Sequence, residues 1–171
     1  TAPVSLAHDR AKVRPIPAGG SVWLRQLGVT DTDGKVLPTA QDKFRQINRY
    51  VEILGPLLKA IPAGRLSKVV DMGAGKGYLT FAIHDHLRQT LGLAAHVTGI
   101  ELRPDMVMLC NDVVAKLGIE GLNFELGDVS TYAPPPIDVM IALHACDTAT
   151  DHAIHKGIRA GAAIILCSPC C

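Results

Sequence analysis

Apolar positions recur at two different periods along this 171-residue chain. In the stretch 39–65, Phe44, Ile47, Tyr50, Val51, Leu54, Leu57, Leu58 and Ile61 return every three or four residues, the spacing of one helix face. Pro56 lies inside that run and, lacking an N–H, predicts a kink or a division there. Beyond Gly64 the period shortens. Apolar or β-branched runs at 66–71, 95–100, 123–126, 137–143 and 162–167 read as five strands, with helical stretches at 75–91, 104–117 and 149–159 between them. Pro104 suits the first position of its helix and Gly118 the position just past its end. Strands alternating with helices predict an α/β fold with a doubly wound, mostly parallel sheet. Upstream, Pro and Gly dominate 1–38, which predicts an irregular lead-in with one short strand or helical turn at 22–27. Asp31-Thr32-Asp33-Gly34 begins like a calcium loop, but the third ligand and the closing glutamate are missing, so it reads as a turn. The expected organisation is therefore a lead-in (1–38), a helical extension (39–65) and a sheet domain (66–171).

Composition narrows the class. A hydrophobic fraction of 48% with 19% charged residues belongs to a compact globular chain rather than to a disordered one. No apolar run reaches the roughly 18 residues of a spanning helix, and the N-terminus lacks a signal-peptide pattern, so the expectation is a cytoplasmic protein with no membrane partner. The five cysteines are odd in number, and three stand in the last five positions, which predicts reduced thiols rather than a disulfide framework. Charge is unevenly placed. Residues 1–65 hold ten Lys and Arg against five acids, and 66–171 hold seven against eleven, so +5 stands beside −4. A basic part next to an acidic one suits an anionic partner such as RNA, with plain solvated surface as the alternative.

The densest chemistry follows the first strand, at Asp71-Met72-Gly73-Ala74-Gly75-Lys76-Gly77-Tyr78. A phosphate-binding P-loop needs Ser or Thr after Gly-Lys and a glycine five positions before that Gly; Gly77 and Val70 stand there instead. A dinucleotide fingerprint needs its third glycine where Tyr78 stands, and a ring at that point holds the helix off the strand, which excludes NAD. Asp-x-Gly-x-Gly-x-Gly remains, the pattern of S-adenosylmethionine-dependent methyltransferases of class I, whose domain is Rossmann-like. Gly73, Gly75 and Gly77 let the backbone approach such a ligand, and Asp71 can hold its ammonium. Glu101 ends the second strand, where an acid can accept both ribose hydroxyls, and Asp128 follows the third, where it could bond the adenine amino group. Leu102, Val129 and Leu143 flank these positions as apolar walls of the same cofactor site. The competing reading is that the three acids only cap turns.

The fourth strand leads into Leu143-His144-Ala145-Cys146-Asp147-Thr148-Ala149-Thr150-Asp151, at the carboxyl end of a strand where a substrate of such a sheet must lie. His144, Asp147 and Asp151 are candidate bases and Cys146 a further catalytic candidate; Asp147 or Thr148 would also serve as a helix N-cap. The Asn/Asp-Pro-Pro-aromatic signature used on exocyclic amines is absent. Cys167 and Cys170 have CxxC spacing, but no second spaced pair accompanies them, and no metal is expected. A thiol nucleophile of the RNA cytosine-5 type and substrate-lining thiols are the other readings of Cys146, Cys170 and Cys171.

Ser5-Leu6-Ala7-His8-Asp9-Arg10, Lys43-Phe44-Arg45-Gln46-Ile47-Asn48-Arg49, the loop at 71–80, the segment at 144–151 and Pro169-Cys170-Cys171 together resemble a bacterial family of class I methyltransferases. More distantly they are similar to the eukaryotic enzyme that methylates a ribose in the tRNA acceptor stem, with its Lys-x-x-Gln helix, Cys-x-x-Ala-Thr-Asp segment and Cys-Cys pair. The resemblance implies S-adenosylmethionine as cofactor and tRNA or rRNA, not DNA, as acceptor, at a ribose hydroxyl rather than a base amine. It gives Lys43, Gln46, Cys170 and Cys171 substrate-positioning roles. It also implies a chain truncated after the fifth strand, lacking two strands and part of the substrate wall. The rival from another class is a cofactor-binding module without catalysis.

Overall fold

The computed structural model describes residues 13–62, 64–143 and 148–168. Five parallel strands form one sheet in the order β3-β2-β1-β4-β5: β1 (Lys68–Met72), β2 (His96–Glu101), β3 (Leu122–Leu126), β4 (Val139–Ala142) and β5 (Ile164–Cys167). All five expected strands are present, and the order reverses between β1 and β4, which opens a crevice beyond their carboxyl ends. The register pairs Asp71 with Gly99 on one side and with Ile141 on the other, so the carboxylate starts from the middle of the sheet.

Side chains alternate across the sheet. Val69, Val97, Val139 and Ile141 face one layer, formed by α1 (Val22–Gln26), α2 (Gln41–Ala60), α3 (Tyr78–Asp85) and α4 (Pro104–Leu117). Val70, Met72, Ile100, Met140 and Ala142 face the other, where α5 (Thr148–Arg159) contributes Ala153. Each buried Val, Ile or Met among these stabilises by about 1.5–3 kcal/mol. The lead-in joins the first layer: Ile16, Trp23 and Leu24 are buried there, and Trp23 stacks on Phe81 with ring centroids 5.7 Å apart. Three carboxyl and amide side chains tie the pieces together. Asp85 accepts from Ser21 Oγ (2.7 Å) and Trp23 Nε1 (2.9 Å), Asp138 accepts from the N–H groups of Ser67 and Lys68, and Asn48 of α2 accepts the Ile16 N–H at 2.9 Å.

Four expectations are corrected. The helix after β1 begins at Tyr78, not at residue 75, because Gly75 (φ 58°) and Gly77 (φ 72°) adopt the left-handed conformation and keep the chain out of the helix. Its last turn, His86–Thr90, is a π turn rather than a continuation of α-helix to residue 91. Of the kink or division expected at Pro56, the division does not occur: α2 runs unbroken to Ala60, since the buried row Phe44, Ile47, Val51, Leu54 and Leu58 holds both halves on the core. Leu57, counted with that face, is exposed instead. The stretch at 22–27 is helical, and Asp31 forms a turn in which its Oδ1 accepts the N–H groups of Asp33 and Lys35.

Candidate functional site

Between β1 and α3 the backbone folds back on the end of β2. Gly73 N–H and Ala74 N–H both donate to the Ile100 carbonyl (2.8 and 2.9 Å), Gly77 N–H donates to Ala74 O, and Gly75 N–H donates to Glu101 Oε2 at 2.7 Å. A Cβ on Gly77 would lie 2.8 Å from the Phe124 ring and 3.0 Å from Cys110 Sγ. Glycine is therefore required there for both conformation and space. These four amides are already used and so are not free to cradle an anion as the amides of a phosphate loop are.

Asp71 is buried beneath this loop, and Thr80 Oγ1 of the first turn of α3 donates to its Oδ2 at 2.7 Å. Burial pushes its pKa from 3.8 up to about 7; the Thr80 hydrogen bond opposes the rise and the Glu101 charge adds to it. Asp71 lines a cavity of about 50 Å³ with Lys43, Gln46, Tyr50, Tyr78 and Leu143. Along the rim, Lys43 Nζ donates to Gln46 Oε1 at 2.8 Å and stands 5.4 Å from the centre of the Tyr78 ring. The structure thus brings Lys43, Gln46, Asp71, Gly73 and Leu143, five of the residues singled out from the sequence, onto one cavity.

Glu101, also buried, holds Gly75 N–H with one oxygen; its Oε1 accepts from Arg103 N–H (3.0 Å) and Arg103 Nε (3.1 Å). Burial pushes this carboxyl up, but the amides of Arg103 and Gly75 and the Arg103 guanidinium outweigh it and leave the pKa below the usual value. Leu102, 63% exposed, follows on the open side. Asp128 caps its own turn: Oδ1 accepts from Ser130 N–H (2.7 Å) and Ser130 Oγ (2.6 Å), bonds that lower its pKa. Its neighbour Val129 packs against the second core layer. Asp151 is exposed in the first turn of α5. Cys167 ends β5 half-buried, and burial raises its pKa. His144, Cys146, Asp147, Cys170 and Cys171 lie outside the described residues.

Three residues on this surface escaped the sequence reading: Thr80, Arg103 and Tyr78 in its bonded role. Tyr78 Oη also donates to the Leu27 carbonyl at 3.5 Å and so touches the lead-in. Only Thr80 carried a signal, a hydroxyl in the first turn of the helix that follows the acid.

The model of a family described as a methyltransferase domain matches residues 42–171. An arsenite methyltransferase of Halobacterium salinarum is 28% identical over 78 residues, which are 46% of this chain and 19% of that one. Among solved structures, magnesium protoporphyrin IX methyltransferase of Synechocystis PCC 6803 with bound SAH superposes with a TM-score of 0.53 at 22% identity, covering 84% of this chain and 64% of that one. A Pyrococcus abyssi tRNA (uracil-54, C5)-methyltransferase in complex with S-adenosyl-L-homocysteine gives 0.50 at 13% identity, covering 72% and 29%. This chain therefore spans less than two thirds of each of these relatives. No described helix is long and apolar enough to cross a membrane.

Proposed function

We propose that this protein, which belongs to the methyltransferase domain family, transfers a methyl group from S-adenosylmethionine to RNA, with a ribose hydroxyl as the acceptor. The observation that carries the cofactor assignment is the juxtaposition of buried Asp71 and Glu101 on either side of a glycine loop in which the N–H groups of Gly73, Ala74, Gly75 and Gly77 are already bonded. Two carboxylates repel a pyrophosphate and suit a ligand that brings its own donors. The sulfonium cofactor supplies an electrophilic methyl group.

The protein's part is binding and positioning. The cavity at Asp71 has room for a few waters. It fits the amino-acid end of the cofactor, with its ammonium on the Asp71 carboxylate. Glu101 takes the ribose hydroxyls, and Leu102, Val129 and Asp128 border the adenine. Leu143 closes the inner wall. A hydroxyl acceptor must lose a proton as its oxygen takes the methyl, and His144, Asp147 and Asp151 are the candidates to receive it. Lys43 and Gln46 position the acceptor from the rim, and Cys146, Cys170 and Cys171 border its site. The +5 charge of residues 1–65 and the Lys43 ammonium at the cavity mouth support an anionic acceptor.

Incubation with methyl-labelled S-adenosylmethionine and separated tRNA, rRNA and protein fractions tests this reading. Label in tRNA or rRNA, located on a ribose by nuclease digestion and mass spectrometry, is the expected result. Label confined to protein removes the RNA acceptor. Label in nothing, from a folded protein that binds S-adenosylhomocysteine, leaves a cofactor-binding module.

A further inference from the structure

The first turn of α3 carries one polar side chain among apolar neighbours. Thr80 stands between Leu79 and the run Phe81-Ala82-Ile83, and it is fully buried, at 0% exposure. A hydroxyl withdrawn from water to that degree costs free energy unless it is hydrogen-bonded. In a helix a Thr hydroxyl ordinarily finds a carbonyl three or four residues back. Thr80 Oγ1 donates instead to Asp71 Oδ2, nine residues back across the glycine loop, at 2.7 Å. The bond joins the end of β1 to the start of α3, three positions after Gly77, whose left-handed φ of 72° turns the chain into the helix.

The other groups around Asp71 do not replace this donor. From β2, Glu101 brings a like charge, itself bonded to Arg103. From α2, Lys43 lines the same cavity, but its Nζ donates to Gln46 Oε1 and stands over the Tyr78 ring. Tyr50 of α2, Tyr78 of α3 and the apolar Leu143 complete the lining. Burial and Glu101 both raise the Asp71 pKa, and the Thr80 bond is what lowers it. A ligand ammonium in this cavity needs a carboxylate that is charged and held in one orientation. A donor fixed on Oδ2 by a buried helix turn provides both, since a hydrogen bond to the charged form favours that form and sets the plane of the carboxyl group.

We propose, resting on the assignment of the cofactor ammonium to Asp71, that Thr80 is a positioning residue of the cofactor site: its hydroxyl holds Asp71 Oδ2 so that the carboxylate stays ionised and turned to the ammonium. Thr80→Val keeps the shape and removes the donor, and Thr80→Ser keeps the donor. Carbon-13 NMR of the side-chain carboxyl follows Asp71 in the ligand-free full chain, and calorimetry with S-adenosylhomocysteine follows binding between pH 6 and pH 8.5. In Thr80→Val, Asp71 is expected to titrate about one pH unit higher than in the wild type. S-adenosylhomocysteine is then expected to bind roughly tenfold more weakly than to the wild type at pH 6 and less than about twofold more weakly at pH 8.5, where both proteins carry the carboxylate. The ligand's own titration is common to both proteins and cancels in the ratio. Thr80→Ser is expected to follow the wild type in both measurements. A Thr80 that merely fills the core gives an equal loss at every pH, and that result, or an unmoved Asp71 titration in folded Thr80→Val, overturns the proposal while leaving the cofactor assignment in place. Wild-type affinity that is the same at pH 6 and pH 8.5 also overturns it, even where Thr80→Val does not fold. No binding of S-adenosylhomocysteine by the folded wild type removes the cofactor assignment and the role of Thr80 with it.

Discussion

Asp71 is asked to be buried and charged at once. Its carboxyl is 4% exposed, has the Thr80 hydroxyl as a hydrogen-bond donor, and reaches half-protonation near pH 7 rather than near 3.8. Because the folded-state pKa is raised, the stability it contributes to the ligand-free protein is fully present below about pH 4 and is lost as pH rises through about 7. A ligand ammonium reverses the preference, so cofactor affinity should increase over the same interval. Asp71→Asn removes the titration while keeping the shape. At pH 8 the variant is expected to unfold with a free energy on the order of 2 kcal/mol higher than the wild type, yet to lose S-adenosylhomocysteine binding by more than about tenfold. Urea unfolding at pH 5 and pH 8 checks the first half, and wild-type stability that does not fall between them would remove the buried-acid argument. Glu101 poses a different question, since the amides of Arg103 and Gly75 and Arg103 Nε already occupy three of its roughly four acceptor positions. Two ribose hydroxyls can be taken up only if one of these donors leaves, and the 59%-exposed Arg103 side chain is the one free to do so. Arg103→Ala is therefore expected to change the dissociation constant for S-adenosylhomocysteine by less than about fivefold, and Glu101→Gln to raise it by roughly ten- to a hundredfold. Isothermal titration of the pair tests the distinction.

At the level of elements, α2 does more than cover the sheet. One face buries Phe44, Ile47, Val51, Leu54 and Leu58; its first three turns bring Lys43, Gln46 and Tyr50 to the cavity at Asp71; and Asn48 reaches back to the lead-in. Asn48 Nδ2 also donates to the Phe44 carbonyl at 3.2 Å, so both ends of this buried amide are used. Asn48→Leu leaves the Ile16 N–H without its partner and is expected to cost about 1–3 kcal/mol. Hydrogen exchange should show Ile16 losing protection first, and a uniform loss across the chain would argue against a local clamp. This part of the molecule also marks the boundary of what sequence makes legible. The strands could be read because Val69-Val70, Val97 and Val139-Met140-Ile141 are short apolar runs, and Asp71 and Glu101 could be read because each stands at the end of one. The helix start at Tyr78 could not, since glycines permit a helix as readily as the left-handed turns they adopt here. Arg103 on Glu101, Thr80 on Asp71 and Tyr78 on Leu27 are pairings set by how the chain folds back, and no periodicity announces them.

At the scale of the whole molecule, the two sides of the sheet are unequal among the described residues. The layer of α1–α4 buries Trp23, Phe44, Phe81 and Phe124 with a continuous aliphatic core, whereas the α5 side is smaller, and every residue of β5 is only half-buried. Local opening should follow that division, with β1 and β2 exchanging their amides most slowly and β5 and α5 well before them. The proposed cofactor site straddles the division. Asp71 and Glu101 come from the well-packed half, while Leu143 sits at the end of β4, where the chain leaves for α5. A ligand held by all three should therefore stabilise the weaker half as well as the whole. At a concentration one hundred times its dissociation constant, S-adenosylhomocysteine is expected to add about 2.7 kcal/mol to the unfolding free energy and to raise Tm by roughly 5–10 °C. The gain in amide protection should extend into β4 and the start of α5. Asp71→Ala should abolish both effects. Protection that rises only in β1 and β2 would mean that the ligand rests on the acids alone, with Leu143 and the β4–α5 connection left for the methyl acceptor.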